Sequence, residues 1–331
     1  MSVEATTTNP VQERKSLGAE LRQLGAEILA AWAQFPHREL FWGLLGVWIL
    51  LFHLWGNSTL GYIKTGSLLG WMVHAYEWNP EDQHGFFIPL LVLVLLWWKR
   101  EELLPLPKAP WWPGLGLLGL AAGLHLLGYL AQQARISIVG FYLGIYAITG
   151  MLWGWRWLKA TAFPFCLFIF CVPVASQAES LTFPLRLVAT QITVWISHHV
   201  LGVPVIQNGV QIFDPAGRFQ YEIAAACSGI KSLTALTVLT MIYGFMFFQS
   251  FWQRAVILLV AIPAAIVSNV LRLVMIVVAA ELFGQAGGNY VHDSAWLSLL
   301  PYVVGFAMVY VTGRLLTPRR RAPAAGVPET A

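Results

Sequence analysis

The sequence predicts an all-α, polytopic integral membrane protein of about eight transmembrane helices, and three observations carry that expectation. Of its 331 residues, 57% are hydrophobic and only 11% are charged, against roughly 25% charged in soluble domains. Several windows stay apolar for about 18 residues or more, the length that crosses a hydrocarbon core of ~30 Å. The Lys and Arg residues also gather on alternate connections, as the positive-inside rule requires. A net charge of +4 on such a chain carries no expectation of nucleic-acid binding.

Residues 1–39 open the chain as a polar tail. The stretch 1-MSVEATTTNPVQERKSLGAELRQLG-25 has no apolar core followed by a small-residue cleavage site, so a signal peptide is not expected. A short, partly helical cytosolic tail is. Eight spans follow, at roughly 40–56, 86–98, 112–130, 137–153, 160–175, 228–248, 255–283 and 296–313. With the N-terminus in the cytosol, fourteen of the 20 Lys and Arg residues fall inside. The other six, Lys64, Arg135, Arg186, Arg218, Lys231 and Arg272, fall outside or in the outer part of the membrane. The run 318-PRRR-321 anchors the last span inside, and 317–331 is read as a second cytoplasmic tail.

Two outer connections are longer than a connector needs. Loop 57–85 contains 71-WMVHAYEWNPEDQHG-85, rich in the Trp and Tyr that favour the membrane interface. Region 176–226 begins with the amphipathic 177-QAESLTFPLRLVATQITVWISHHVLG-202, expected to lie on the membrane or dip into it. Then Asn208-Gly209 and 214-DPAG-217 give turn signals. Phe219, Tyr221 and Ile223 alternate with Gln220 and Glu222, a period of two. A small extracytoplasmic β-hairpin is therefore expected just before Cys227. The run 114-GLGLLG-119 fits a dinucleotide fingerprint only as letters, since no strand precedes it. Gly119/Gly123 and Gly140/Gly144 are better read as small-residue contacts between membrane helices.

Ionisable residues at membrane depth are costly and therefore functional candidates. Cys227, in 224-AAACSGIKS-232, begins the sixth span on its outer side. A helix N-terminus lowers a thiol pKa and favours the thiolate, and Lys231 adds positive charge one turn on. The other reading is a cysteine packed for its small size, like the three alanines before it. Cys166 and Cys171 share one apolar segment, which leaves Cys227 without an obvious partner. Arg272, in 266-IVSNVLRLVMIVV-278, stands 17 residues above position 255, ~25 Å along a helix, near the outer surface. It either snorkels or pairs with Glu222 or Glu281, or it donates a permanently charged fork to a carboxylate or an oxyanion. Asn269 shares its helix face. His292, in 289-NYVHDSAW-296, precedes the eighth span on the outer side and has the acid–base character catalysis uses. His84, with Asp82 in 82-DQHGFFIPLL-91, stands at the outer entrance of the second span, either lining a cleft or holding a turn. His198-His199 with His84 lack the Asp, Glu or Cys spacing of a first shell, so neither a metal nor another cofactor is expected. Cys, Arg and His brought to one depth form a sufficient set for acyl transfer.

Four segments in this order resemble the exosortase/archaeosortase family of membrane proteins. They are 78-WNPEDQHGFFIPLLVLVLLWWKR-100, the predicted hairpin with 226-ACSGIKSLTAL-236, 269-NVLRLV-274, and the histidine of 291-VHD-293. The resemblance runs from about residue 40 to about 316, the expected membrane domain. It implies a cysteine protease/transpeptidase of the bacterial cytoplasmic membrane with its active site facing the exterior. Cys227, Arg272 and His292 would be the catalytic residues. The substrates implied are exported proteins whose C-terminal sorting signal joins a Pro-Glu-Pro-type motif, a transmembrane helix and a basic tail. These would be cleaved near the motif and passed to an acceptor. Glu222 and Asn269 are expected as orienting partners, and His84 and Trp78 as residues shaping the substrate entrance. A chain ending soon after the eighth span is expected to lack the further extracytoplasmic domain some members carry. The rival class is a transporter or assembly subunit for envelope polysaccharide, with Arg272 holding an anionic substrate. Such a protein needs polar residues along a path to both sides, and the inner halves of these spans are nearly free of ionisable groups.

Overall fold

The computed structural model describes residues 17–59, 63–222 and 230–317. Its helices run in chain order as α1 (Leu17–Ala33), α2 (Arg38–Trp55), α3 (Leu68–Trp78), α4 (Ile88–Trp98), α5 (Arg100–Leu103) and α6 (Gly114–Leu130). They continue as α7 (Ala134–Trp153), α8 (Trp155–Cys166) and α9 (Ala175–His199). Strands β1 (Ile206–Asn208), β2 (Gln211–Phe213) and β3 (Gln220–Glu222) then precede α10 (Ile230–Phe247), α11 (Phe251–Asp293) and α12 (Ala295–Leu316).

Among the described residues, four helical stretches are long and apolar enough to cross a membrane: α2, α7, α11 and the part of α12 from Leu299 to Leu316. Helices α4 and α6 and residues Leu233–Phe247 of α10 are apolar but shorter. The 11 residues of α4 extend only ~16 Å. The predicted span at 160–175 is interrupted. Helix α8 ends at Cys166, a 3-10 turn covers Leu167–Cys171, and α9 begins at Ala175.

The chain divides into two compact units, residues 1–58 with 92–165 and residues 59–91 with 166–331. In the first, α6 and α7 form an antiparallel pair whose backbones meet at small residues. A Cβ on Gly140 would lie 2.7 Å from the Ala121 carbonyl oxygen, and one on Gly144 would overlap the Trp48 ring of α2. Trp48 Nε1 donates to the Phe141 carbonyl at 3.0 Å, locking α2 onto α7. The contact expected at Gly140/Gly144 thus forms. At Gly119/Gly123 no such contact is seen among the described residues, where nothing lies within 4 Å of a Cβ at either position. A four-residue spacing defines a face without saying which face meets a neighbour.

In the second unit, α10, α11 and α12 enclose one core of Leu236, Phe248, Ile257, Ala261, Ala264, Ala265 and Val309. A second core joins α9 through Ala189, the sheet through Ile212 of β2 and Phe219 just before β3, and α11 through Val270, Leu273, Ile276, Val277 and Ala280. Burial of Ile212 and Phe219, 1% and 2% exposed, contributes about 1.5–3 kcal/mol each and fixes the sheet to α11. Where a hairpin was predicted there is a three-stranded antiparallel sheet of order β1-β2-β3. Both turn signals are used. Gly209 takes a positive φ of 61° between β1 and β2. The Gly217 N–H donates to the Asp214 carbonyl at 2.9 Å, folding β3 back onto β2 with Ile212 opposite Tyr221. The long loop 57–85 contains α3, whose N-cap Ser67 Oγ accepts the Gly70 N–H at 3.1 Å.

Candidate catalytic site

The site is built on α11. Asn269 is buried at 4% exposure and Arg272, three residues on, is half-buried on the same face. Twelve residues later Gly284 adopts φ 73°, ψ −171°, a conformation essentially restricted to glycine. There the helix breaks, and residues 285–293 run back along its last turns. Gly288 makes this possible. A Cβ there would lie 3.1 Å from Ala280 Cβ and would overlap the Tyr221 hydroxyl.

This reversal is what joins Arg272 to His292. On an unbroken helix, the 20 residues between them would hold them ~30 Å apart. Instead Arg272 Nη2 donates to the His292 carbonyl oxygen at 3.4 Å. His292 Nδ1 lies 2.8 Å from Asp293 Oδ1. A carboxylate can only accept, so Nδ1 carries the proton there and Nε2 remains the nitrogen available for exchange. The carboxylate next to His292 was not singled out from the sequence, although 291-VHD-293 contains it.

The chain matches the family model for the transmembrane exosortase over residues 71–311. It belongs to that family. The matched segment takes in the sheet, α11 and the Arg272–His292 pair. No curated protein and no solved structure matches the chain.

In this exosortase, Cys227 lies outside the described residues. So do the side chains of Glu222 and Lys231; the Glu222 backbone closes β3 opposite Gln211. His84 is half-buried, with Nδ1 3.0 Å from the Glu81 carbonyl, so it holds the 3-10 turn Gln83–Phe86 to the residues before it. Beside it, Asp82 accepts the Val174 N–H at 3.1 Å, the Cys171 thiol faces the Gly85 carbonyl at 3.8 Å, and Tyr76 donates to the Cys171 carbonyl. Trp78 is 81% exposed and stacks on His74 at 6.1 Å. At the end of α9, His199 stacks on Trp195 with ring centroids 5.4 Å apart. Among the described residues no group of three His, Cys, Asp or Glu converges as a metal site.

Sequence reasoning offered Glu281 as a partner for Arg272, and the structure gives it to another arginine. Arg218, at the start of the segment leading to β3, reaches Glu281 with both terminal nitrogens at 2.9 and 2.8 Å. The same guanidinium holds Asp214 at 2.7 and 3.3 Å. This hydrogen bonding keeps the Asp214 carboxyl below its usual range. The signal was present in the spacing of Asp214 and Arg218 across the DPAG turn, but their partner is 63 residues away in sequence.

Proposed function

We propose that this exosortase is a cysteine protease/transpeptidase acting at the outer face of the bacterial cytoplasmic membrane. The observation that carries the reading is the Arg272–His292 contact, which joins the two non-cysteine members of an acyl-transfer set 20 residues apart in sequence. Counted from Phe251 on the cytosolic side, Arg272 stands ~32 Å up α11, at the outer edge of a core of ~30 Å. Among the described residues four stretches are long and apolar enough to cross; the eight crossings expected from the sequence would put both tails inside.

In this mechanism Cys227 gives its thiol proton to His292 Nε2 and attacks, as its thiolate, the peptide carbonyl at the sorting motif. The carbonyl π electrons move to oxygen, and the Arg272 guanidinium stabilises that oxyanion. The tetrahedral species collapses to a thioester as the C–N bond breaks. His292 Nε2 delivers the proton that makes the departing amine neutral. An acceptor nucleophile then loses a proton to the same nitrogen, attacks the thioester and releases the Cys227 thiolate. Glu222 and Asn269 serve as orienting partners, and His84 and Trp78 shape the entrance. The substrates are exported proteins with a Pro-Glu-Pro-type motif, a transmembrane helix and a basic tail.

Co-expression with such a protein, followed by gel analysis of its processing, tests the reading. Cys227→Ala and Arg272→Ala are expected to leave the substrate at full length. Normal processing by either variant refutes the mechanism and favours a transport or assembly role for envelope polysaccharide.

A further inference from the structure

None of the described side chains of α1 is buried, yet the helix has two distinct faces. At ~100° per residue, Leu21, Leu24, Ile28 and Trp32 fall within a sector of ~80°. Glu20, Arg22, Gln23 and Glu27 lie outside it. The polar groups find partners within the helix. Arg22 Nε donates to the Gly18 carbonyl at 3.0 Å and Gln23 Nε2 to Glu27 Oε1 at 3.1 Å. The apolar ones stand open, with Leu21 59%, Leu24 41% and Ile28 45% exposed.

Trp32, the last member of the apolar stripe, shows what covers it. Its ring lies against Phe41 and Trp42 in the first turn of α2 and against Trp153 at the end of α7, with centroids 5.5, 5.6 and 5.9 Å apart. Helices α2 and α7 are both long and apolar enough to cross a membrane, and here one end of each span meets the other. Trp153 Nε1 donates to the Pro36 carbonyl at 3.1 Å, an apolar ring with a polar handle of the kind that collects at the membrane boundary. The Lys108 ammonium lies 4.8 Å from the centre of the neighbouring Phe35 ring, as a lysine does when its stem follows apolar surface and its head stays in water. The joint between α1 and α2 is therefore interfacial. It is also bent. A helix continued straight would separate Trp32 from Phe41 by ~14 Å along its axis, and His37 takes a left-handed φ of 57° between the two. The face that Trp32 seats at the interface is the face that carries Leu21, Leu24 and Ile28 away from it. A second copy of the chain is the rival cover, but the 17 residues of α1 make fewer than the three or four heptads a coiled coil needs.

We propose that α1 is an interfacial helix lying on the lipid surface, with Leu21, Leu24 and Ile28 set between headgroups and acyl chains and with Glu20, Arg22 and Glu27 turned to water. The lipid is held by apolar contact and not by headgroup charge, because α1 carries Glu20 and Glu27 against Arg22 alone. This placement is independent of the chemistry at α11.

The test uses the full chain in nanodiscs wide enough for two copies, made of phosphatidylcholine alone or of phosphatidylcholine and phosphatidylglycerol in equal amounts. The photoreactive residue p-benzoylphenylalanine replaces Leu21, Leu24, Ile28, Gln23 or Glu27 one at a time, and mass spectrometry identifies what each captures on illumination. Lipid adducts are expected at positions 21, 24 and 28 in both compositions and are expected to fall to background at 23 and 27. Capture of a second copy or of another segment of the same chain by the apolar face overturns the proposal. So does equal lipid capture on both faces, no capture on the apolar face, or capture only with phosphatidylglycerol. A second measurement avoids the bulky probe. Tryptic cleavage after Arg22, the single basic residue of α1, is expected to be faster in Ile28→Glu, which puts a charge in the apolar stripe. It is expected to stay at the wild-type rate in Ala26→Glu, which puts the same charge on the opposite face. Equal cleavage rates in the two variants overturn the proposal.

Discussion

Replacing Gly284 by alanine isolates the feature on which the site depends. No atom of the described residues lies within 4 Å of the added Cβ, so among them the cost comes from the backbone alone. At φ 73°, ψ −171° a residue with a side chain costs ~1–3 kcal/mol. The competing conformation is a helix running straight through position 284, and there alanine is favoured over glycine by ~1 kcal/mol. Together the two effects move the balance between reversed and straight helix by about 2–4 kcal/mol, or about 30- to 700-fold at 1.4 kcal/mol per decade. Spin labels at the exposed positions Leu258 and Tyr290 read the outcome. Reversal at 284 predicts ~30 Å between the two backbones and a straight helix ~48 Å. Gly284→Ala is expected to populate the long distance and to lose substrate processing with it. Gly116→Ala, in an α-helical position with equally open surroundings, is the control. There the substitution is expected to be neutral or stabilising by up to ~1 kcal/mol. A Gly284→Ala protein with the short distance, full processing and a melting temperature equal to the control's would refute the reasoning.

Two further outcomes follow from the same geometry. Arg272→Lys keeps a positive charge but loses the planar fork, and loss of one transition-state donor costs about 10²–10³ in kcat; a lysine variant with wild-type kcat in the processing assay would remove the guanidinium from the mechanism. Asp214 has its folded-state pKa depressed by Arg218, so its contribution is present above the ordinary carboxylate pKa and is lost as pH falls through the folded value. Melting temperatures of wild type and Asp214→Asn are therefore expected to differ at neutral pH and to converge only in acid below about pH 4; a gap that persists into strong acid would contradict this.

The parts of the fold that were legible in the sequence are those set by local chemistry. Asn208-Gly209 and 214-DPAG-217 marked both turns of the sheet, and the alternation after them marked β3. Apolar length marked α2, α7 and α11. The helical reversal was not legible, because Phe283-Gly284-Gln285 reads equally as the end of a span and the start of a loop. Only the glycines at 284, 287 and 288 hinted at close backbone approach. Arg272 stood out because lipid penalises a cation wherever it lies along a span. Arg218 did not, because a polar residue outside the apolar runs is unremarkable until the fold pairs it, here with Glu281 across 63 residues.

The contact between Arg272 and His292 also explains how a charged residue is kept at this depth. The last four carbonyls of a helix lack intrahelical donors and carry partial negative charge. His292 belongs to the last turn of the helix ending at Asp293, and its carbonyl is the atom Arg272 reaches. The arginine therefore caps the helix that presents the histidine, an interaction of ~0.3–1 kcal/mol for an exposed cation and up to ~2 kcal/mol when partly buried. This predicts an asymmetry between the two residues. His292→Ala removes the imidazole but leaves the backbone carbonyl, so it should abolish processing at nearly unchanged melting temperature. Arg272→Ala removes the cap as well as the oxyanion donor, so it should lose both activity and stability. Equal melting temperatures for the two variants would confine Arg272 to the chemistry and leave the reversed helix held by Gly284 and the contacts of Tyr221 and Gln285.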